Sequence, residues 1–92
     1  MTATPKRTEA IKQRVQRQLE LLSLRCLDLA DRVAAGELPF IDSVDAAYHA
    51  ALAADLPSAI EASGLINTDI LTGDDVVQSV LAGAFANARR PA

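Results

Sequence analysis

Residues 11–33 read IKQRVQRQLELLSLRCLDLADRV, and this stretch decides the fold because its apolar residues recur in steps of four and three. Such steps place side chains on one stripe of an α-helix. The stripe consists of Ile11, Val15, Leu19, Leu22, Cys26, Leu29 and Val33. Thr8 is typical of a helix start, and Gly36 is typical of the residue that follows a helix end. We predict a first helix over residues 8–35, preceded by a flexible tail over residues 1–7.

Three further leucines in this helix, Leu21, Leu24 and Leu27, lie off the main stripe. A helix that is apolar around much of its circumference needs cover on more than one side. If this helix is the central core helix of the domain, the remaining helices could wrap around it and supply that cover. A partner, or a second copy of the chain, is the alternative, because exposed apolar patches usually mark contacts.

The rest of the chain contains signals for three shorter helices. Pro39 suits the first turn of a second helix over residues 39–54. We expect its inner face to comprise Ile41, Val44, Tyr48, Ala51 and Leu52. Pro57 opens a short third helix, residues 58–63, and Gly64 ends it.

Residues 65–71 show no helical period and are predicted to form a loop or a turn. Thr72 and Asp75 then have the spacing of a capping box, which predicts the start of a fourth helix. Its wide apolar face comprises Val76, Val77, Val80, Leu81, Ala84, Phe85 and Ala88. Arg89 and Arg90 are favourable at the negative end of this helix, and we expect Pro91 to end it.

Composition supports an all-α fold. Half of the 92 residues are apolar, mostly Ala and Leu, and only 3% are aromatic. Ala and Leu are strong helix formers, whereas the residues that favour strands are scarce. We predict a single domain over residues 8–90, built as a small bundle of about four helices with a long first helix. A single cysteine, a polar N-terminus and no apolar stretch of bilayer length favour a cytoplasmic protein without a membrane span.

Charge is distributed unevenly along the chain, whose net charge is −3. The first 25 residues contain six basic side chains and only two acidic ones, whereas residues 26–88 contain ten acidic side chains and only Arg32 as a basic one. An acidic body repels nucleic-acid phosphates and favours basic protein partners. Basic residues and glutamines near the start of helix 1 leave a small DNA-binding regulator as an alternative.

No residue set indicates catalysis. His49 is the only histidine, and Ser43 lies six residues before it, on another face of the second helix. Asp42, Asp45 and His49 could share one side of that helix, but no fourth metal ligand is evident. Gly-rich phosphate-binding motifs are also absent from the sequence. We therefore expect a protein that is not an enzyme and that has no cofactor and no metal.

Three segments carry a resemblance to a known family: ELPFIDSVDAAY at residues 37–48, GDDVVQ at 73–78 and LAGAFA at 81–86. With them, the chain resembles the QseM-like antiactivators, small helical proteins of integrative and conjugative elements in rhizobia and related α-proteobacteria. The resemblance covers roughly residues 10–90. It implies sequestration of a transcriptional activator, which represses excision and conjugative transfer of the element under quorum-sensing control.

Residues off the predicted core stripes or in loops are the candidates for binding this activator. The apolar anchors would be Leu24, Tyr48, Leu56, Ile66 and Ile70, and Asp42 and Asp45 would steer association through their charge. Leu56 or Ile66 could equally be part of the core. The alternatives are a DNA-binding regulator that uses the basic first helix, and a homodimeric assembly protein that pairs through Leu21 and Leu24. The sequence leaves open whether the protein is a monomer or a homodimer.

Overall fold

A computed structural model describes residues 3–86, with side chains from Glu9 onward, and shows four α-helices and no strand within that range. The helices are α1 (Ala3–Ala34), α2 (Phe40–Ala53), α3 (Leu56–Ser63) and α4 (Gly73–Phe85). Every pair of helices is in contact, and α1 packs against the other three. The predicted all-α bundle with a long first helix is confirmed.

Helix α1 sets the long dimension of the molecule. At 1.5 Å per residue, its 32 residues span about 48 Å, and the principal extents of the protein are 56 × 23 × 21 Å. The helix begins at Ala3, inside the segment 1–7 that we expected to be a tail. Its end agrees with the prediction. Gly36 has a φ of 79°, its N–H donates to the Val33 carbonyl, and the Glu37 N–H donates to that of Arg32, which together form a Schellman motif.

The core lies where the four helices meet. Its buried apolar members are Val15, Leu22, Cys26 and Ala30 of α1, Ala47 and Ala51 of α2, Leu56 and Ile60 of α3, and Val77, Leu81 and Phe85 of α4. Most of the predicted α1 stripe therefore faces inward. Ile11, the first member of the stripe, is instead 42% exposed, because the buried part of α1 begins only at Val15.

The predicted inner face of α2 is partly wrong. Ile41 is 69% exposed and Leu52 is also exposed, whereas Ser43, Ala47 and Ala51 are buried. These three residues are small, so α2 can approach the rest of the bundle closely along their stripe. Hydrophobicity alone favoured Ile41, but packing favours the small side chains. Burial of Ser43 is compatible with this close approach because its hydroxyl donates to the Pro39 carbonyl at 2.9 Å.

The start of α4 is fixed by two sets of hydrogen bonds. The predicted capping box is present, since Thr72 Oγ1 accepts from the Asp75 N–H and Asp75 Oδ2 accepts from the Thr72 N–H, both at 3.0 Å. In addition, Glu61 of α3 accepts from the Gly73 N–H at 2.7 Å. Residues 65–71 form the predicted turn region between these helices. Ala88, Arg89, Arg90 and Pro91, on which we based the predicted end of α4, lie outside the described residues.

Candidate partner-binding groove

An open groove of about 720 Å³ lies between α2 and α4. We call it the α2–α4 groove. It is lined by Phe40, Val44, Asp45 and Tyr48 of α2, by Gln78, Leu81, Ala82 and Phe85 of α4, and by Ala86, which follows α4. The helical period places these residues side by side, since the α2 members follow in steps of about one turn, as do those of α4. Most of the lining is apolar, so the groove presents a hydrophobic surface to solvent.

The groove collects all three aromatic side chains of the chain, Phe40, Tyr48 and Phe85. The rings of Phe40 and Phe85 meet edge to face, with centroids 6.0 Å apart and an interplanar angle of 85°. Phe85 is only 3% exposed and forms part of the floor, whereas Phe40 and Tyr48 are partly buried. Aromatic side chains in such a setting offer a large apolar contact area that is already ordered before a ligand binds.

A polar cluster lies beside this apolar floor. The Tyr48 hydroxyl donates to Asp74 Oδ1, and Gln78 Nε2 donates to Asp74 Oδ2 at 2.6 Å. Both oxygens of Asp74 therefore have a partner from the groove lining, and the cluster ties α2 to α4. The hydrogen bond to Asp74 raises the pKa of the Tyr48 phenol, with desolvation and the negative charge of Asp74 acting in the same direction. Tyr48 is thus held as a neutral donor.

The electrostatic character of the groove is acidic. Asp45 lines it and is exposed, and Asp42 is exposed one turn earlier on α2. Residues 33–86, which include all of α2, α3 and α4, contain no Lys or Arg. The field at the groove therefore comes from carboxylates without a nearby cation from these helices, and it favours a positively charged ligand.

The structure brings together only part of the predicted partner-binding set. Asp45 and Tyr48 line the groove, whereas Asp42 is exposed one turn before Asp45 on α2 and is not part of the lining. Leu24, on α1, is 63% exposed and is not part of the lining, and Ile70, in the turn before α4, is 76% exposed. These two side chains are accessible but lie outside the groove.

Two of the proposed anchors contribute to the hydrophobic core. Leu56 is only 3% exposed, so of the two positions left open for it, accessible anchor or core residue, it occupies the core. It is the first residue of α3, and its side chain packs into the core from the start of that short helix. Ile66 is partly buried and packs against the same core.

Sequence reasoning missed most of the groove. Phe40, Val44, Gln78, Ala82 and Phe85 line it but were not among the candidates. One signal was available: Phe40, Val44 and Tyr48 recur every four residues, which places two of the chain's three aromatics on one face of α2. The contribution of α4 depends on how the two helices pack, and no local pattern encodes it.

The groups that could support catalysis or metal binding are dispersed. Within residues 9–86, no three His, Cys, Asp or Glu side chains come together in an arrangement that could hold a metal ion. His49 is exposed on α2, and Cys26 is buried in the core. Burial raises the pKa of the Cys26 thiol, an effect only partly opposed by the charge of Arg25. A thiol in this state is a poor nucleophile.

No protein-family model matches the chain, and no curated protein or solved structure matches it either. None of the described helices is both long enough and apolar enough to cross a bilayer.

Proposed function

We propose that this protein is an antiactivator, which binds and sequesters a transcriptional activator and so represses excision and conjugative transfer of a mobile element. The binding role is supported by the position of Phe40, Tyr48 and Phe85 in one open groove, on helices that contain no Lys or Arg. Aromatic anchors surrounded by charge are typical of surfaces that bind proteins. The resemblance to QseM-like antiactivators supplies the class of partner.

An acidic face suits a transcriptional activator as partner. Activators contact DNA phosphates through basic surfaces, and carboxylates can compete for those surfaces. The acidic side chains of α2 would accelerate association and orient the partner, and the apolar floor would supply most of the affinity. This role needs no covalent chemistry and no cofactor, and we place it in the cytoplasm, where transcription factors act.

The proposal is tested by capture followed by reconstitution. The tagged protein is isolated from its native host at moderate salt, and co-purifying proteins are identified by mass spectrometry. We expect a transcription factor in stoichiometric amount. The purified factor should then lose promoter binding or transcriptional activation when the protein is added. Nuclease-sensitive nucleic acid as the only co-purifying species would instead support the DNA-binding alternative.

Exposed leucines on α1 favour a second candidate function, self-assembly. Leu21, Leu24 and Leu27 are 59%, 63% and 47% exposed, respectively. A homodimer through this surface would bury them. Light scattering would show a dimer that separates when Leu21 and Leu24 are replaced by Ser. A monomeric mass at all concentrations would exclude this function.

A further inference from the structure

We propose that the α2–α4 groove binds one amphipathic helix of the partner, with apolar side chains at one-turn spacing on one face and Lys or Arg beside them. This inference rests on the proposed function for the source of the helix, the transcriptional activator. The chemistry of the occupant is argued from the groove itself.

The length of the groove fits a short helical segment. Its α2 members extend from Phe40 to Tyr48, and its α4 side extends from Gln78 to Ala86. Each series spans eight steps, or about 12 Å at the rise of an α-helix, which corresponds to about two turns. A helix laid between α2 and α4 would therefore place side chains i, i+3 or i+4, and i+7 on the floor, the anchor pattern of helix-in-groove recognition.

The chemistry of the lining selects a helix with two different faces. Phe40, Leu81 and Phe85 form a floor that favours aliphatic or aromatic anchors. Asp45 lines the groove, and residues 33–86 contain no Lys or Arg that could neutralise its negative charge. An acidic peptide would meet uncompensated repulsion here, whereas Lys or Arg beside the anchors would meet complementary charge.

The Tyr48–Asp74–Gln78 cluster limits where that charge can bind. Both Asp74 oxygens already accept hydrogen bonds from side chains of the groove lining. Asp45, in contrast, is exposed and carries no ion pair among the described residues. We therefore assign the main contact with the partner's cation to Asp45, with Asp42 one turn away as a weaker contributor.

Synthetic peptides test the inference without the activator. The probe is a labelled helix of about 15 residues, or roughly four turns, with Leu at i, i+4 and i+7 and with Lys flanking these positions. One matched peptide carries Glu in place of Lys, and another carries Ser in place of Leu. Binding is followed by fluorescence anisotropy and by Tyr48 emission. Because the chain has one Tyr and no Trp, this emission reports on the groove alone.

The expected result has two parts. The Lys/Leu peptide should bind at least about tenfold more tightly than either matched peptide, and Tyr48 emission should change on binding. Affinity should fall as salt is raised, since the charges are partly exposed.

Two pairs of variants locate the site. Ala82→Arg places a bulky cation in the groove, and Ser79→Arg places the same residue on α4 outside it, because both positions are exposed but only Ala82 lines the groove. We expect Ala82→Arg to weaken binding by at least about tenfold and Ser79→Arg to change it little. Asp45→Asn should weaken binding and reduce its salt dependence, whereas Asp31→Asn, at an exposed position of α1, should do neither.

Several results would overturn the inference. One is a Lys/Leu peptide that does not bind, and others are a Glu/Leu peptide that binds equally well and an Ala82→Arg protein that behaves like Ser79→Arg. A change in Tyr48 emission when residues 87–92 are deleted, with no peptide present, would make the chain's own C-terminal segment the occupant. Self-association of the wild type that Ala82→Arg abolishes would make a second copy the occupant.

The same variants separate this inference from the proposed function. If the captured activator binds wild type and Ala82→Arg equally, the antiactivator role stands and the groove is not its site. If the peptide binds in the groove but no activator is captured, the groove recognises a basic helix and the antiactivator role fails.

Discussion

Tyr48 of α2 donates a hydrogen bond to Asp74 of α4, which lies 26 positions later in the chain. This bond joins the two helices. The contact lies at the groove that collects the chain's aromatic side chains. Asp74 also accepts from Gln78, one turn later on α4. The two bonds fix the Tyr48 ring against the groove, so the surface that we propose for partner binding is ordered before the partner arrives.

The phenol of Tyr48 should titrate above its ordinary pKa. Because Tyr48 is the only tyrosine, an absorbance titration of phenolate reads this group alone. The hydrogen bond to Asp74 is the main cause of the raised pKa, so Asp74→Ala should lower it towards the ordinary value of about 10. Asp69→Ala removes the same charge from an exposed loop position and should leave the pKa unchanged. Equal titration curves for the wild type and Asp74→Ala would contradict the contact.

This pKa shift has a defined effect on stability. The folded state holds the phenol proton more tightly than the unfolded state does, so the contribution is complete below the unfolded pKa of about 10. As pH rises through the raised pKa of the folded state, that contribution is lost. Chemical denaturation of wild type and Tyr48→Phe should give a difference in unfolding free energy that changes only in this alkaline range. Parallel profiles there would mean that the hydrogen bond does not couple to folding.

Gly73 should be the least replaceable glycine of the chain. A Cβ atom at this position would lie 1.9 Å from the Pro57 carbonyl oxygen, so α3 and α4 could not keep their approach. We expect Gly73→Ala to lower the unfolding free energy by more than about 3 kcal/mol. Gly83→Ala is the matched control, since nothing lies within 4 Å of its Cβ position. Gly83 lies in the last turn of α4, so this change should leave stability unchanged or raise it by up to about 0.5–1 kcal/mol. Equal denaturation midpoints for the two variants would contradict the packing.

The sequence could predict the elements whose signals are local. The α1 stripe, the helix end at Gly36 and the Thr72–Asp75 capping box all depend on residues within a few positions of one another. The helical period and local backbone hydrogen bonding specify such features, so they can be read without knowing the tertiary contacts.

The features that the sequence did not predict depend on packing between helices. Ile41 looked like a core residue, but the bundle buries the small Ser43, Ala47 and Ala51 instead. The α4 side of the groove was missed for the same reason. No local sequence pattern predicts that Phe85 contacts Phe40. The bond from Gly73 to Glu61 is likewise a contact between helices.

Cys26 should be protected from thiol reagents in the folded protein. Its side chain is completely buried, and burial raises the thiol pKa, so both access and thiolate content are low. Reaction with a disulfide reagent should be at least about a hundredfold slower than in denaturant, because it requires local opening. Ser79→Cys supplies an exposed thiol on α4 as an internal reference. The variant should react in one fast and one slow phase, and two fast phases would show that Cys26 is accessible.

Truncation should destabilise the protein at Leu56 but not at Ile70, although the sequence suggested both as partner anchors. Leu56→Ala leaves a cavity where α3 enters the core and should cost about 2–5 kcal/mol in unfolding free energy. Ile70→Ala removes a side chain that is 76% exposed, so stability should stay within about 0.5 kcal/mol. Thermal melts followed by circular dichroism measure both effects. Because Ile70 lies outside the α2–α4 groove, its truncation should also leave binding of the Lys/Leu peptide unchanged. A loss of peptide affinity in a stably folded Ile70→Ala protein would move the binding surface from the groove to the turn before α4.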